Sequence, residues 1–168
     1  PEQIEQILEN EELFKPVAER FSKASSIFFI GRGLDYSISL EGSLKLKEIS
    51  YIKSEAYAAG ELKHGTISLI EPGTPVFAVA TQPDLFEKTL GNIREVKSRG
   101  AYVAALVGED CENVGEFSDV AIKVPRTLPE YMPSLNVVPL QLIAYFTAVE
   151  RGCDVDKPRN LAKSVTVE

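Results

Sequence analysis

The chain has 168 residues, of which 44% are hydrophobic and 26% are charged, a composition typical of a globular protein and not of a disordered segment. Its 25 acidic side chains outnumber 18 Lys and Arg, for a net charge of −7, and no basic run could follow a nucleic-acid backbone, which excludes nucleic acid as an expected partner. No apolar stretch approaches the roughly 18 residues of a membrane span, so we expect one cytoplasmic domain over residues 1–168 and no membrane contact.

The first third of the chain predicts helix, strand and helix. Residues 3–23 have helical spacing of apolar side chains that is interrupted near Pro16, which predicts one kinked helix or two short ones. SSIFFIGRG (25–33) is apolar and ends in glycines, as expected for a buried parallel strand. The pattern from Asp35 to Ile52 is helical again.

The rest of the chain continues to alternate strands and helices. In chain order we predict a short strand at 55–58, a turn with a short helix at 60–70, a strand at 74–81, a helix at 84–98, strands at 101–107 and 120–124, and a helix at 135–151. The last helix should contain Pro139 in its first turn and stop at Gly152.

Near-continuously apolar strands separated by helices predict the α/β class, as a three-layer αβα sandwich with a mostly parallel, flavodoxin-like sheet of about five strands. In such folds ligands bind at the carboxyl ends of the strands, where the strand order reverses. The loops after Ile30, Ala58 and Ala80 are therefore the expected places for a site.

Two strand ends bear on phosphate binding. GRG at 31–33 lies between strand and helix but lacks the G-x-G-x-x-G spacing of a dinucleotide site, so it is either a tight turn or a ligand contact. TQPDL (81–85) has no glycine and few hydroxyls with which to surround a phosphate.

The cysteines and the single histidine predict neither a metal site nor a cofactor. Cys111 and Cys153 are too few for a disulfide framework and too isolated for a zinc site, so both are expected to be inert thiols.

Three groups of polar residues have the right chemistry for proton transfer, although each also has a plain structural explanation. Glu41, Lys45 and Glu48 share one helix face, which is either a solvated ion-paired surface or a carboxylate placed to move a proton. His64, between two glycines, is either structural or a proton shuttle. Lys163 lies in a polar tail (153–168) that either frays or docks.

Three strings carry a family resemblance: LEGSLKLKEISYIKSEAYAAGELKHG (40–65), VPLQLIAYFTA (138–148) and DVDKPRNLAKSVTVE (154–168). They closely resemble the C-terminal sugar-isomerase (SIS) half of the glucosamine-6-phosphate synthase family, the glutamine–fructose-6-phosphate transaminases. The resemblance runs from about Ile27 to Glu168.

The resemblance implies a role for each candidate. Glu48 matches the base that moves a proton between C1 and C2 of the sugar, and Lys163 the lysine that forms a Schiff base with fructose 6-phosphate. His64 matches a ring-opening histidine donated by the neighbouring subunit of a homodimer. Lys45 and Glu41 match charged neighbours of the base, and the tail is expected to close over the sugar.

The resemblance also implies that this chain holds half of a site. No residue here can be the N-terminal cysteine of the glutaminase domain, and the Ser- and Thr-rich phosphate loop belongs to the family's first SIS half. We therefore expect a fragment that is inactive, or nearly so, alone; Pro1 in place of Met agrees with a fragment, although an expression artefact would look the same. The alternatives are a stand-alone SIS isomerase or deglycase, and a phosphosugar-binding regulatory module.

Overall fold

The computed structural model describes residues 1–161. Within them lie five strands: β1 (Ser26–Gly31), β2 (Lys53–Ala58), β3 (Pro75–Ala80), β4 (Tyr102–Gly108) and β5 (Val120–Val124). The α-helices in the same range are α1 (Glu2–Glu9), α2 (Lys15–Ser22), α3 (Leu34–Ser50), α4 (Pro83–Lys97) and α5 (Met132–Glu150). Short 3₁₀ turns occupy Glu11–Leu13, Ala59–His64, Thr66–Leu69, Val114–Glu116 and Pro129–Tyr131.

The five strands form one sheet in the order β2-β1-β3-β4-β5, and each neighbouring pair is parallel. After β1 the chain moves to one side for β2 and then crosses to the other side for β3, so the order reverses between β1 and β3. This is the flavodoxin-like order. The predicted α/β sandwich with a parallel five-stranded sheet is confirmed.

Successive strand side chains point to opposite faces of the sheet, and because they are apolar on both faces, helices cover both. Phe29 and Phe77 point into a core shared with α1, α2, α3 and α5. Phe28 and Ile30 point the other way, into a core shared with α4 and the turn Ala59–His64. Both faces of the central strands are buried, which explains why their sequences are apolar without alternation.

The N-terminal region forms two short helices, which was one of the two predicted forms. The break lies at the 3₁₀ turn Glu11–Leu13. Pro16 lies in the first turn of α2, where its missing N–H has no helical partner to lose.

The expected position of Pro139 is wrong. Helix α5 begins at Met132, so Pro133 occupies its first turn and Pro139 lies in the interior, where it cannot donate to the carbonyl of Leu135. The helix continues because its apolar residues are buried against α2, α3 and the sheet, which offsets the lost hydrogen bond.

Gly152 ends α5 as predicted. It has φ +68°, and its N–H donates to the carbonyl of Val149 while the N–H of Cys153 donates to that of Ala148. These two bonds are those of a Schellman motif, which favours glycine at the left-handed position.

One helix is long and apolar enough to pass a membrane-span test, contrary to the expectation from the sequence. The segment Pro129–Glu150 has a mean hydropathy of 1.3, but half of the tested window is buried inside the domain. Core helices of water-soluble proteins pass the same test, so this is weak evidence for a span.

Candidate functional site

The charged residues predicted on α3 meet as an ion-paired group. Lys45 Nζ lies 2.7 Å from Glu48 Oε2 and 3.6 Å from Glu41 Oε1. The three side chains are 33%, 26% and 41% exposed, with Glu48 the most buried. The hydrogen bond to Glu48, reinforced by the charges of both carboxylates, raises the pKa of Lys45, which therefore stays cationic beside Glu48.

His64 is not brought to this group within one chain. It ends the 3₁₀ turn Ala59–His64, whose Ala59 and Leu62 are buried on the α4 face of the sheet, whereas α3 buries Leu46 on the opposite face. The imidazole is 76% exposed, with Nε2 3.8 Å from Glu61 Oε2. The His64 imidazole is thus exposed on the side of the sheet that α3 does not cover.

The C-terminal segment is bound to the end of α3 that carries Glu48. The backbone N–H of Arg159 donates to the phenolic oxygen of Tyr51 over 2.9 Å, and the Arg159 guanidinium carbon lies 4.0 Å from the centre of the Tyr51 ring. Tyr51 directly follows the last residue of α3, three positions after Glu48. Lys163 lies outside the described residues.

An Asx turn shapes the chain between α5 and this contact. Asp154 Oδ1 accepts from the N–H groups of Asp156 and Lys157, each over 3.0 Å. This turn and the Schellman motif at Gly152 give the start of the tail a defined path towards Tyr51.

Tyr51 has an unusual backbone for a bulky residue. Its φ of 62° and ψ of 16° are left-handed, a region that favours glycine and costs other residues about 1–3 kcal/mol. Tyr51 and Arg159 are not predictable as site residues from sequence; their one signal is an aromatic residue at a helix end, where glycine is more usual.

The turn after β3 has its amides occupied by a carboxylate of the protein. Asp35, which is 2% exposed, accepts from the N–H of Thr81 (2.8 Å), the N–H of Gln82 (3.2 Å) and the Thr81 hydroxyl (2.6 Å). Asn136 from α5 donates to the same hydroxyl over 2.7 Å. Because phosphate sites use such amides, this turn is not free to bind one.

The GRG turn after β1 is joined to the same region. Arg32 donates to Asn92 Oδ1 on α4 from Nε (3.1 Å) and Nη2 (2.9 Å), and its carbonyl accepts from Gln82 Nε2 over 2.6 Å. Gly31 packs so closely that a Cβ there would lie 2.6 Å from the Asp35 carbonyl carbon. The observed contacts are those of a tight turn.

A cavity of about 580 Å³ opens at the amino-terminal ends of the strands. Charges of both signs line it, including Arg20, Lys53, Glu55 and Glu71. Of the predicted site residues that the structure describes, Glu41, Lys45, Glu48 and His64, none lines this cavity. Within residues 1–161 no group of three His, Cys, Asp or Glu side chains could hold a metal ion.

The sequence and the fold are both similar to those of known proteins. The profile of the SIS domain family matches residues 20–151. The whole chain is 58% identical to part of the glutamine–fructose-6-phosphate aminotransferase (isomerizing) of Caldanaerobacter subterraneus subsp. tengcongensis and spans 28% of that protein. The chain thus covers well under a third of the length of this curated relative.

Two solved structures extend the comparison. The C-terminal domain of glucosamine-fructose-6-phosphate aminotransferase from Francisella tularensis is 37% identical, with a TM-score of 0.83, and the match covers 92% of this chain and 44% of that one. A glucosamine-6-phosphate deaminase from Thermotoga maritima is 30% identical, with a TM-score of 0.69, over 93% of this chain and 46% of that one.

Proposed function

Because this chain belongs to the SIS domain family, we propose that it is the isomerising part of a glutamine–fructose-6-phosphate aminotransferase. The complete enzyme would convert fructose 6-phosphate and glutamine-derived ammonia into glucosamine 6-phosphate in the cytoplasm. Support comes from 58% identity over the full chain to an enzyme of that name and from the 37% identical C-terminal domain structure.

In this proposal Lys163 and Glu48 carry the chemistry. The Lys163 amine condenses with the C2 carbonyl of the open-chain sugar, releasing water, and ammonia then displaces the lysine to leave nitrogen on C2. Glu48 removes a proton from C1 and returns it to C2, while the C1 hydroxyl gives up its proton and the nitrogen gains one, which converts the C2 imine into a C2 amine with an aldehyde at C1. The imine makes the C1 proton easier to remove than a ketone would.

Lys45 and Glu41 support this role of Glu48. Lys45 donates to Glu48 Oε2 over 2.7 Å and is itself close to Glu41, so a fixed positive charge lies beside the proposed base. This ion pair holds the Glu48 carboxylate in a fixed position on the face of α3.

His64 would act in the site of a second subunit of a homodimer, where it would assist opening of the sugar ring. Two observations support a role for His64 in the site of the other subunit. The turn that carries His64 lies on the opposite face of the sheet from α3, and the imidazole is largely exposed.

The single observation that carries the proposal is the contact between Tyr51 and Arg159. It holds the tail, four residues before Lys163, against the end of α3 that presents Glu48 and Lys45. The two residues proposed for chemistry are 115 positions apart in sequence, and this contact provides a physical reason for them to meet.

Phosphate anchoring and ammonia supply would come from the preceding SIS domain and the glutaminase domain of the same enzyme. The amides of Thr81 and Gln82 already bind Asp35, which supports the absence of a phosphate clamp after β3. This chain spans 28% of its curated relative, and the remaining length of that relative is enough for both domains.

The test compares the full-length enzyme with the isolated 168-residue chain in converting fructose 6-phosphate to glucose 6-phosphate. We expect turnover by the full-length enzyme, little or none by the isolated chain, and a loss of about 10²–10⁴-fold for Glu48→Gln in the full-length enzyme. Glu87→Gln, the same change at an exposed site on α4, should leave the rate unchanged. Comparable rates for the isolated chain and the full-length enzyme would refute the half-site proposal.

A second candidate is deamination of glucosamine 6-phosphate, favoured by the 30% identical structure of a deaminase. It is separated from the first by supplying glucosamine 6-phosphate without glutamine and measuring ammonia. Net release of ammonia faster than glutamine-dependent synthesis would favour the deaminase.

A further inference from the structure

Tyr51 and Arg159 form a contact that the proposed chemistry does not use directly. The bond from the Arg159 N–H fixes the backbone of the tail, and the guanidinium stacked 4.0 Å from the ring centre fixes its side chain. A guanidinium over an aromatic face is favourable in itself. Two different interactions therefore bind one residue of the tail to one residue of α3.

The backbone of Tyr51 gives a second observation. It is one of three non-glycine residues with positive φ in residues 1–161; the other two are asparagines, Asn113 and Asn160, which tolerate that region. A tyrosine at this position indicates that the contacts of its side chain outweigh the conformational cost of the left-handed backbone.

In sequence, each partner of this contact lies close to one of the two residues that must meet. Glu48 lies three residues before Tyr51, about 4.5 Å along the helix axis. Lys163 lies four residues after Arg159, so the chain between them spans at most about 14 Å. Asn160, with φ 62°, turns the chain immediately after the contact.

Resting on the proposed function, we propose that Tyr51 and Arg159 are positioning residues that hold the root of the tail so that Lys163 reaches the sugar beside Glu48. Both partners of the contact lie in the part of the chain that the structure describes, and the contact fixes the start of the tail beside the end of α3. Losing it should impair Schiff-base formation more than sugar binding, because the phosphate anchor lies elsewhere.

The experiment uses the full-length enzyme and two variants. Tyr51→Asn removes both the acceptor and the ring while keeping a residue suited to the left-handed backbone, and Arg159→Gln removes the stacked cation alone. Arg151→Gln is the matched control, since this exposed arginine binds the carbonyl of Ser22 instead.

The first measurement does not depend on catalysis. Hydrogen exchange of peptides that contain the Arg159 amide and end by residue 161 should be faster in Tyr51→Asn than in the wild type and unchanged in Arg151→Gln. Tyr51→Phe, which keeps the ring but removes the acceptor, should show an intermediate effect. Equal exchange in the wild type and Tyr51→Asn would overturn the proposed contact, whatever reaction the enzyme performs.

The second measurement follows the chemistry. For Tyr51→Asn we expect kcat for glucosamine 6-phosphate to fall about 10–100-fold, as small misplacements do, with a slower formation of the borohydride-trapped adduct at Lys163 and little change in KM. Arg159→Gln should show a smaller effect, and the double variant less than the product of the two. Wild-type kcat in Tyr51→Asn would overturn the positioning role. Absence of any Lys163 adduct in the active wild type would instead refute the proposed function, and the exchange result would still decide whether the contact exists.

Discussion

Lys45 is held between two carboxylates on one helix face, at 2.7 Å from Glu48 and 3.6 Å from Glu41. Exposed pairs at helical spacing stabilise a protein by only a few tenths of a kcal/mol, since water competes for both charges. The arrangement is thus better explained by the fixed position that Lys45 gives the Glu48 carboxylate than by the stability that the ion pairs add.

Lys45→Met should lower the free energy of unfolding by about 0.2–0.5 kcal/mol at neutral pH. Because the folded pKa of Lys45 is raised above 10.5, the contribution is fully present below pH 10.5 and is lost as the pH rises through the folded pKa. Urea unfolding of both proteins across this range measures it. Lys47→Met, at an exposed site on the same helix, is the control; a wild-type advantage that grows above pH 10.5 would contradict the assignment.

Some residue-scale features had no sequence signal. The stripe Glu41, Lys45 and Glu48 could be predicted, because three residues at helical spacing must share a face. The bonds from Thr81 to Asp35 could not, since they join residues 46 positions apart in the chain. The same limit hid the contact of Tyr51 with Arg159.

At the scale of elements, α3 is positioned by the turn from which it starts. Gly31 ends β1 with no room for a side chain against the backbone of Asp35, in the first turn of the helix. The direction of α3, and with it the place of Glu48, depends on this close approach.

Gly31→Ala should therefore destabilise the domain by about 1–3 kcal/mol, because a Cβ 2.6 Å from backbone atoms forces the turn to move. Gly91→Ala, in the middle of α4 where a Cβ meets nothing within 4 Å, should stabilise it by about 0.5–1 kcal/mol. Chemical denaturation of the two variants beside the wild type tests this contrast. Equal stability of Gly31→Ala and the wild type would show that the turn is not tightly packed.

Sequence patterns predicted most elements because burial on both faces leaves strands apolar and helices periodic. They fail at the start of α5, because the pattern predicts Pro139 in the first turn and the helix begins at Met132. Local propensity favours that position for a proline, but packing of α5 against α2 and α3 outweighed the cost of an interior one.

At the scale of the molecule, the fold could be predicted and the complete site could not. The parallel sheet follows from strands and crossovers within this chain, whereas the proposed site draws on a second subunit and on preceding domains. His64 and Glu48 lie on elements at opposite faces of the sheet, so one copy of this chain does not unite them. A sequence that spans 28% of its relative contains only part of that relative's contacts.

The central claim is that this chain supplies the Schiff-base lysine and the proton-transferring carboxylate of a larger enzyme. Borohydride reduction of the full-length enzyme with fructose 6-phosphate, followed by peptide mass spectrometry, tests it most directly. We predict a reduced sugar adduct on Lys163, retained in Glu48→Gln, where proton transfer is lost but the imine still forms. An active enzyme with no adduct on Lys163, or with the adduct on another lysine, would contradict the claim.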